Sequence, residues 1–186
     1  MPLTLTLPDW VASIAHPGMV VAADDDRMRL AIRLARENVL HDTGGPFGAA
    51  VFERHTGRVV GLGVNGVLRL NSSLVHAEVI AIAEAQSRLG SYTLGAEGMP
   101  PHDLFSSCAP CAMCLGATLW SGVKRLVCAA AQEDAEALGF DEGPVFAGSY
   151  AHLVRAGIEV VQDYLQEDAR AVFKLYRERG GPIYNG

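Results

Sequence analysis

Leu104-Phe105-Ser106-Ser107-Cys108-Ala109-Pro110-Cys111-Ala112-Met113-Cys114-Leu115-Gly116-Ala117-Thr118-Leu119-Trp120, with Val123–Ala130 after it, is the stretch that decides the fold. Leu104–Ser106 reads as a short strand. Pro110 favours a helix start, and Cys111–Trp120 is apolar on nearly all sides, which predicts a buried helix. Val123–Ala130 reads as the next strand. The pattern extends in both directions. Asp24-Asp25-Asp26 opens a helix with an apolar stripe at Met28, Ala31, Ile32, Leu34 and Ala35, which should stop near Thr43-Gly44-Gly45-Pro46. Strands Phe47–Glu53 and Val59–Val64 flank the turn His55-Thr56-Gly57-Arg58. Val75–Leu89 is Ala-rich and helical. Residues 132–138 and 149–156 read as short helices, Ile158–Val161 as a last strand and Asp168–Arg179 as a terminal helix. The order α-β-β-α-β-α-β-α-β-α predicts an α/β fold of three layers, α-β-α, with a central mixed five-stranded sheet and helices on both faces.

A chain of 186 residues is expected to form one domain over 1–186, with 1–23 as a loosely packed N-terminal extension and 180–186 as a C-terminal tail. No apolar run approaches the roughly 18–20 residues that span a bilayer, so no membrane partner is expected. The first ten residues, MPLTLTLPDW, lack a basic region before an apolar stretch, and no secretory signal is expected. The net charge is −6 and no Lys/Arg cluster or basic stripe is read, which argues against a nucleic-acid partner and suits a small neutral substrate. Three of the four cysteines lie within seven residues, a poor layout for disulfides and a good one for metal. A reducing, cytoplasmic setting fits.

His76-Ala77-Glu78 completes the metal pattern, with Cys111 standing 33 residues after the glutamate. His76, Cys111 and Cys114 are read as ligands of one Zn²⁺ per chain. Three protein ligands leave a fourth position open for water, and Glu78, which is not a ligand, is placed to move its protons. Cys111 and Cys114 are three apart and share a face of one helical turn. At a helix N-terminus their pKa falls. His76 is expected in the first turn of the Val75–Leu89 helix, so two helix N-termini would face the ion. Two thiolates cancel the charge of Zn²⁺ and leave it a weaker acid than an all-His site, which gives Glu78 its task. A lone HAE or a lone CxxC means little; the pair, each opening a helix, is specific. The rival reading is a closed structural zinc module, with Cys108 as fourth ligand and no chemistry. Against it, Cys108 lies before Pro110, outside the helical turn. Cys108 and Cys128 read as small core residues, and His16, His41, His55, His102 and His152 as surface or loop.

The H-x-E and P-C-x-x-C pattern resembles the cytidine-deaminase-like superfamily of zinc deaminases, over roughly Arg27 to the end. Within it, Pro46-Phe47-Gly48-Ala49, Asn65, Phe140-Asp141-Glu142-Gly143-Pro144 and Pro182-Ile183-Tyr184-Asn185 look like the guanine deaminases of this fold. The resemblance implies a cytidine-deaminase-like fold and a cytoplasmic, homodimeric enzyme of purine catabolism. Its reaction would be hydrolytic deamination of a nucleobase, guanine to xanthine and ammonia. It implies Glu78 as proton shuttle and Glu142 as the acid that reads the guanine N–H edge and assists ammonia departure. Asn65 and the backbone at Ala77 would hydrogen-bond the ring, and Phe47, Trp120 and Phe140 would wall it. Tyr184 would belong to a tail that closes its own or a partner's pocket. Two features depart from the family: Ala109 stands where a Glu usually precedes the Pro-Cys pair, and the N-terminal extension is long. Taken from the residues alone, Asn65 also suits a turn in Gly63-Val64-Asn65-Gly66. Likewise the three aromatics suit an ordinary core, Glu142 a solvated loop and Tyr184 a frayed terminus. A broader aminopurine or triazine (ammeline) deaminase and a guanosine deaminase remain open. Cytosine is less favoured because Glu142 suits a donor edge, and a tRNA adenosine deaminase is disfavoured by the acidic balance.

Overall fold

The computed structural model describes residues 4–185. Residues 1–3 of the extension and 186 of the tail lie outside them. The chain runs α1 (Val11–Ile14), α2 (Asp24–Leu40), β1 (Gly48–Glu53), β2 (Val59–Val64), α3 (Val67–Leu70), α4 (Ala77–Leu89), β3 (His102–Cys108), α5 (Ala112–Ser121), β4 (Arg125–Ala130), α6 (Gln132–Glu136), α7 (Ala147–Arg155), β5 (Glu159–Val161) and α8 (Gln166–Glu178). The strands form one five-stranded mixed sheet in the order β2-β1-β3-β4-β5. β1 is antiparallel to both neighbours, whereas β3, β4 and β5 are parallel. The expected three-layer α-β-α architecture is therefore present.

Successive strand residues point to opposite faces, and both faces are apolar. Ala50, Phe52, Phe105 and Val127 pack against Met28 and Leu34 of α2 and Phe173 of α8. Ala49, Val51, Leu104 and Leu126 pack against Ala77, Ala81 and Ala85 of α4 and Leu153 of α7. The small residues of α4 meet small residues of β2. A Cβ on Gly63 would stand 1.9 Å from the Ala77 carbonyl oxygen, so only glycine allows the first turn of α4 to lie so close to the sheet.

Strand direction gathers the loops. Because β1 is antiparallel, Gly48 at its start lies beside Val64 at the end of β2, and Ala49 lies beside Ser106 near the end of β3. Cys108 pairs with Ala130 at the end of β4. The segments before β1 and after β2, β3 and β4 thus emerge at one edge, the carboxyl end where α/β sheets present their ligands. At the opposite end, fully buried Asp103 accepts from Arg54 Nε at 2.7 Å and Arg125 Nε at 3.1 Å. Arg125 also grips Asp24 at the start of α2 at 2.8 and 3.0 Å.

Several sequence expectations are corrected. α5 is not buried all round: Cys114, Thr118 and Ser121 are its buried residues, and Trp120 is 81% exposed. A helix apolar on every side has no amphipathic face to reveal that one side is an outer layer. His102 is not on a surface or loop but fully buried in β3, with Nδ1 3.0 Å from the Leu94 carbonyl. The extension is anchored at several points of its described length. Val11, Ala15 and Val21 enter the core, and Gly18 and Met19 bond Val59 at the outer edge of β2, covering it. Arg29, Arg33 and Arg36 do line up beside α8, an arginine row that was not anticipated. Two of the three are paired, Arg29 with Asp25 and Asp26 and Arg36 with Glu37. Among the described residues no helix is long and apolar enough to cross a membrane.

The glycine contact yields a prediction. Gly63→Ala should displace the first turn of α4, costing about 1–3 kcal/mol of stability and lowering zinc content. Urea unfolding and metal analysis check both, and a variant of unchanged stability and zinc content would show the contact to be slack.

Candidate metal centre and active site

His76 and Cys111 are the N-cap residues of α4 and α5, each in extended backbone just outside its helix rather than within the first turn. No side-chain hydrogen bond caps either first turn, so both positive dipole ends stay at the site, although the Ala112 amide is taken by a backbone carbonyl. Cys114 follows one turn into α5. His76 Nδ1 lies 3.5 Å from Cys111 Sγ and 3.6 Å from Cys114 Sγ, and the three donor atoms lie within 4.8 Å of one another. Zinc bonds of about 2.3 Å to sulfur and about 2.0–2.1 Å to nitrogen at a tetrahedral angle separate S and N by about 3.6 Å. The donor set and its spacing therefore fit zinc. Cys108 is elsewhere, buried with its Sγ 3.7 Å from the Ala131 carbonyl. It is no fourth ligand.

The electrostatics are those of a site made for a cation. Hydrogen bonding to Cys114 and to His76 outweighs burial and lowers the Cys111 thiol to about 4. Burial alone would depress His76, but the Cys111 hydrogen bond and the charge of Glu78 raise it. Glu78 is raised by burial and then by the Cys111 charge. Burial, followed by Cys111 and Glu78, lifts Glu142 to about 8. Negative groups are crowded into a low-dielectric pocket, where each disfavours the next. Ser106 of β3 donates to Glu78 Oε1 at 3.3 Å, which holds the carboxyl beside the ligands without making it one.

A cleft of about 390 Å³ opens on this centre. Its lining includes Glu78, Glu142, Phe47, Asn65, Phe140 and Tyr184, all expected there. Phe140 makes edge contacts at 5.1 Å with both Phe47 and Tyr184. Asn65 Oδ1 accepts from the Val67 amide at 3.2 Å, leaving its Nδ2 for the cleft. Ala77 is buried as the first residue of α4, and its N–H belongs to the unpaired first turn. Glu142 is not a solvated loop acid: it is buried, and its carbonyl accepts from the Ala112 amide at 2.9 Å. Trp120 is no wall of this cleft. Six residues beyond Cys114 it points about 120° away around the helix, to the exposed side.

Other residues contribute as well. Ala109, noted in the sequence as a departure from the family, forms part of the lining, and its amide bonds the Ala130 carbonyl at 2.8 Å. Asn185 clasps the loop that carries Glu142, accepting from the Asp141 amide at 2.9 Å and donating to the Gly139 carbonyl at 3.0 Å. Ser106 has no motif or period to mark it, and Asn185 was noted only as part of the tail stretch that resembles the family. Their contacts arise from strand register and from the path of the tail.

Comparison with known proteins agrees with this geometry. A family model described as the cytidine and deoxycytidylate deaminase zinc-binding region matches residues 22–130. The guanine deaminase of Bacillus subtilis is 39% identical over 119 residues, 64% of this chain and 72% of that one. A solved guanine deaminase from Nitrosomonas europaea has a TM-score of 0.90 at 40% identity, over 95% of this chain and 97% of that one. A solved variant in complex with 8-azaguanine has the same TM-score and identity, over 94% of this chain and 96% of that one. The family match contains His76, Glu78, Cys111 and Cys114 but ends before Glu142 and Tyr184.

The ligand assignment has a direct consequence. Cys108→Ser should retain about one zinc per chain, while Cys111→Ser should weaken zinc binding beyond the about 100-fold limit typical of outer-sphere changes. Zinc titration against a chromogenic chelator measures both; loss of metal from the Cys108 variant would favour a closed four-ligand site.

Proposed function

Because the chain belongs to the cytidine and deoxycytidylate deaminase zinc-binding family, we propose that it hydrolyses guanine to xanthine and ammonia. The observation that carries the reading is Glu78, buried beside the three ligands yet spent on none of them. The ring assignment is supported by the relatives named guanine deaminase and by the 8-azaguanine complex. When bound, zinc supplies Lewis acidity that lowers the pKa of water at its open position. Glu78 accepts a proton as the water oxygen bonds to C2 of the ring, and delivers it to N3. Glu78 or Glu142 then carries the remaining proton from the hydroxyl on C2 to the exocyclic nitrogen; the C2–N bond breaks as the C2=O bond forms, and ammonia leaves.

The remaining lining orients the base. Asn65 Nδ2 donates to a ring acceptor, the Ala77 amide bonds the ring, and Glu142 accepts from its N–H edge. Phe47 and Phe140, in contact with each other, form an apolar wall. Tyr184, whose hydroxyl is buried without a protein partner, finds that partner in the bound base. Such paired groups reject analogues that lack them by about 10⁴-fold or more.

The outer face of α5 supports a homodimer. Trp120 and Tyr92 are among the most exposed large apolar side chains, and the Leu94 amide bonds the Ser121 carbonyl at 2.7 Å, bringing the Tyr92 loop to the end of α5. Exposed apolar surface of this kind marks interaction sites. Four free thiols suit a reducing cytoplasm.

Two experiments test these readings. Glu78→Gln should keep its zinc and lose about 10²–10⁴-fold in kcat, measured by ammonia release from guanine, guanosine, ammeline, cytosine and adenine. Full turnover with full zinc would remove the shuttle, and faster release from another substrate would reassign the ring. Trp120→Glu should sediment as a monomer where the parent sediments as a dimer. An unchanged sedimentation coefficient would place any interface elsewhere.

A further inference from the structure

Asn38 lies in the last turns of α2, fully buried among apolar neighbours. A buried amide is costly unless its donors and acceptor are paired, and here they are. Nδ2 donates to the Gly45 carbonyl at 2.8 Å and to the Asn65 carbonyl at 2.9 Å. Oδ1 accepts from Thr43 Oγ1 at 2.7 Å. Thr43 Oγ1 in turn accepts from Trp10 Nε1 at 3.1 Å. Trp10 belongs to the N-terminal extension, and its ring stacks on His41 at 5.3 Å. The bonds run in one sense, donor to acceptor, from the extension to the backbone of Asn65, an arrangement in which each bond polarises the next.

The segment between these partners has no slack. A Cβ on Gly44 would stand 2.0 Å from the Asn65 carbonyl oxygen and 2.6 Å from Asn38 Nδ2, and one on Gly45 would stand 1.8 Å from Tyr184 Oη. The Asn65 amide is also engaged, donating to the Phe47 carbonyl at 3.0 Å. Both backbone groups of Asn65 are therefore fixed, which aims its side chain. Gly45 is the surface against which Tyr184 rests.

We propose that Asn38 is a positioning residue for the reaction, and that Trp10 and Thr43 complete a relay through which the N-terminal extension holds Asn65 and Tyr184 in register around the cleft. None of the three lines the cleft; they act through Asn65. The proposal rests on the reading of Asn65 as a ring donor.

The test is a double-mutant cycle of Thr43→Val with Asn65→Ala, using guanine kinetics on zinc-loaded enzyme. Trp10→Phe, which keeps a ring to stack on His41 and loses the N–H, supports it. Thr43→Val and Trp10→Phe should each raise KM about 3–10-fold, the size of one hydrogen bond, with zinc content intact and kcat less affected. In the Asn65→Ala background Thr43→Val should change KM by less than about 2-fold, the non-additivity expected of one connected network. Additive effects, or a lower melting temperature with unchanged KM in Thr43→Val, would overturn the relay while leaving Asn65 in its role. An Asn65→Ala enzyme with unchanged KM would overturn the reading of Asn65 and the relay with it. Because Asn38→Asp would set a carboxylate against two carbonyls and destabilise the fold itself, Thr43 and Trp10 carry the test.

Discussion

The approach of one imidazole nitrogen to two sulfurs, at 3.5 and 3.6 Å, constrains everything around it. It requires the N-termini of α4 and α5 to meet, although 35 residues separate His76 from Cys111. That meeting requires α4 to lie flush on β2, which the missing side chain of Gly63 permits. It also requires β3 to deliver its end to the same edge, which the antiparallel placement of β1 arranges. The ion network around Asp103 clamps the opposite end of the sheet, so strand register is held from both sides.

The same convergence explains the electrostatics. Two thiols, two carboxyls and two helix N-termini share one poorly solvated pocket. Burial first, and then the charge of Cys111, raise the pKa values of Glu78 and Glu142. A dication relieves that repulsion, and the helix ends favour the thiolates that bind it. The acidic groups thus belong to one electrostatic unit with the metal, even though among the described residues only His76, Cys111 and Cys114 supply donor atoms close enough to hold it.

Legibility tracked the range of the interactions. The element order was readable because periodicity is local, and the one long helix face that misled, α5, misled because it lacks periodicity. Trp120 was given a pocket-wall role by the family resemblance and lies on the other side of the helix. The four-residue helices α1 and α3 are too short to show a period. The roles of Asn38, Ser106 and Asn185, the last named only within the tail stretch, were not readable for a different reason. Each is an ordinary polar residue whose partner is a backbone carbonyl, a backbone amide or a carboxylate distant in sequence.

By itself the sequence determined the layer order, the identity of the three ligands and the one carboxylate left over, because spacing within a turn and the ligand chemistry of His and Cys are local properties. Tertiary structure alone decided which aromatics face the cleft, that Glu142 is buried beside Glu78, and that the N-terminal extension reaches Asn65. Those depend on strand register and on where loops return, which arise from packing the two faces of the sheet at once.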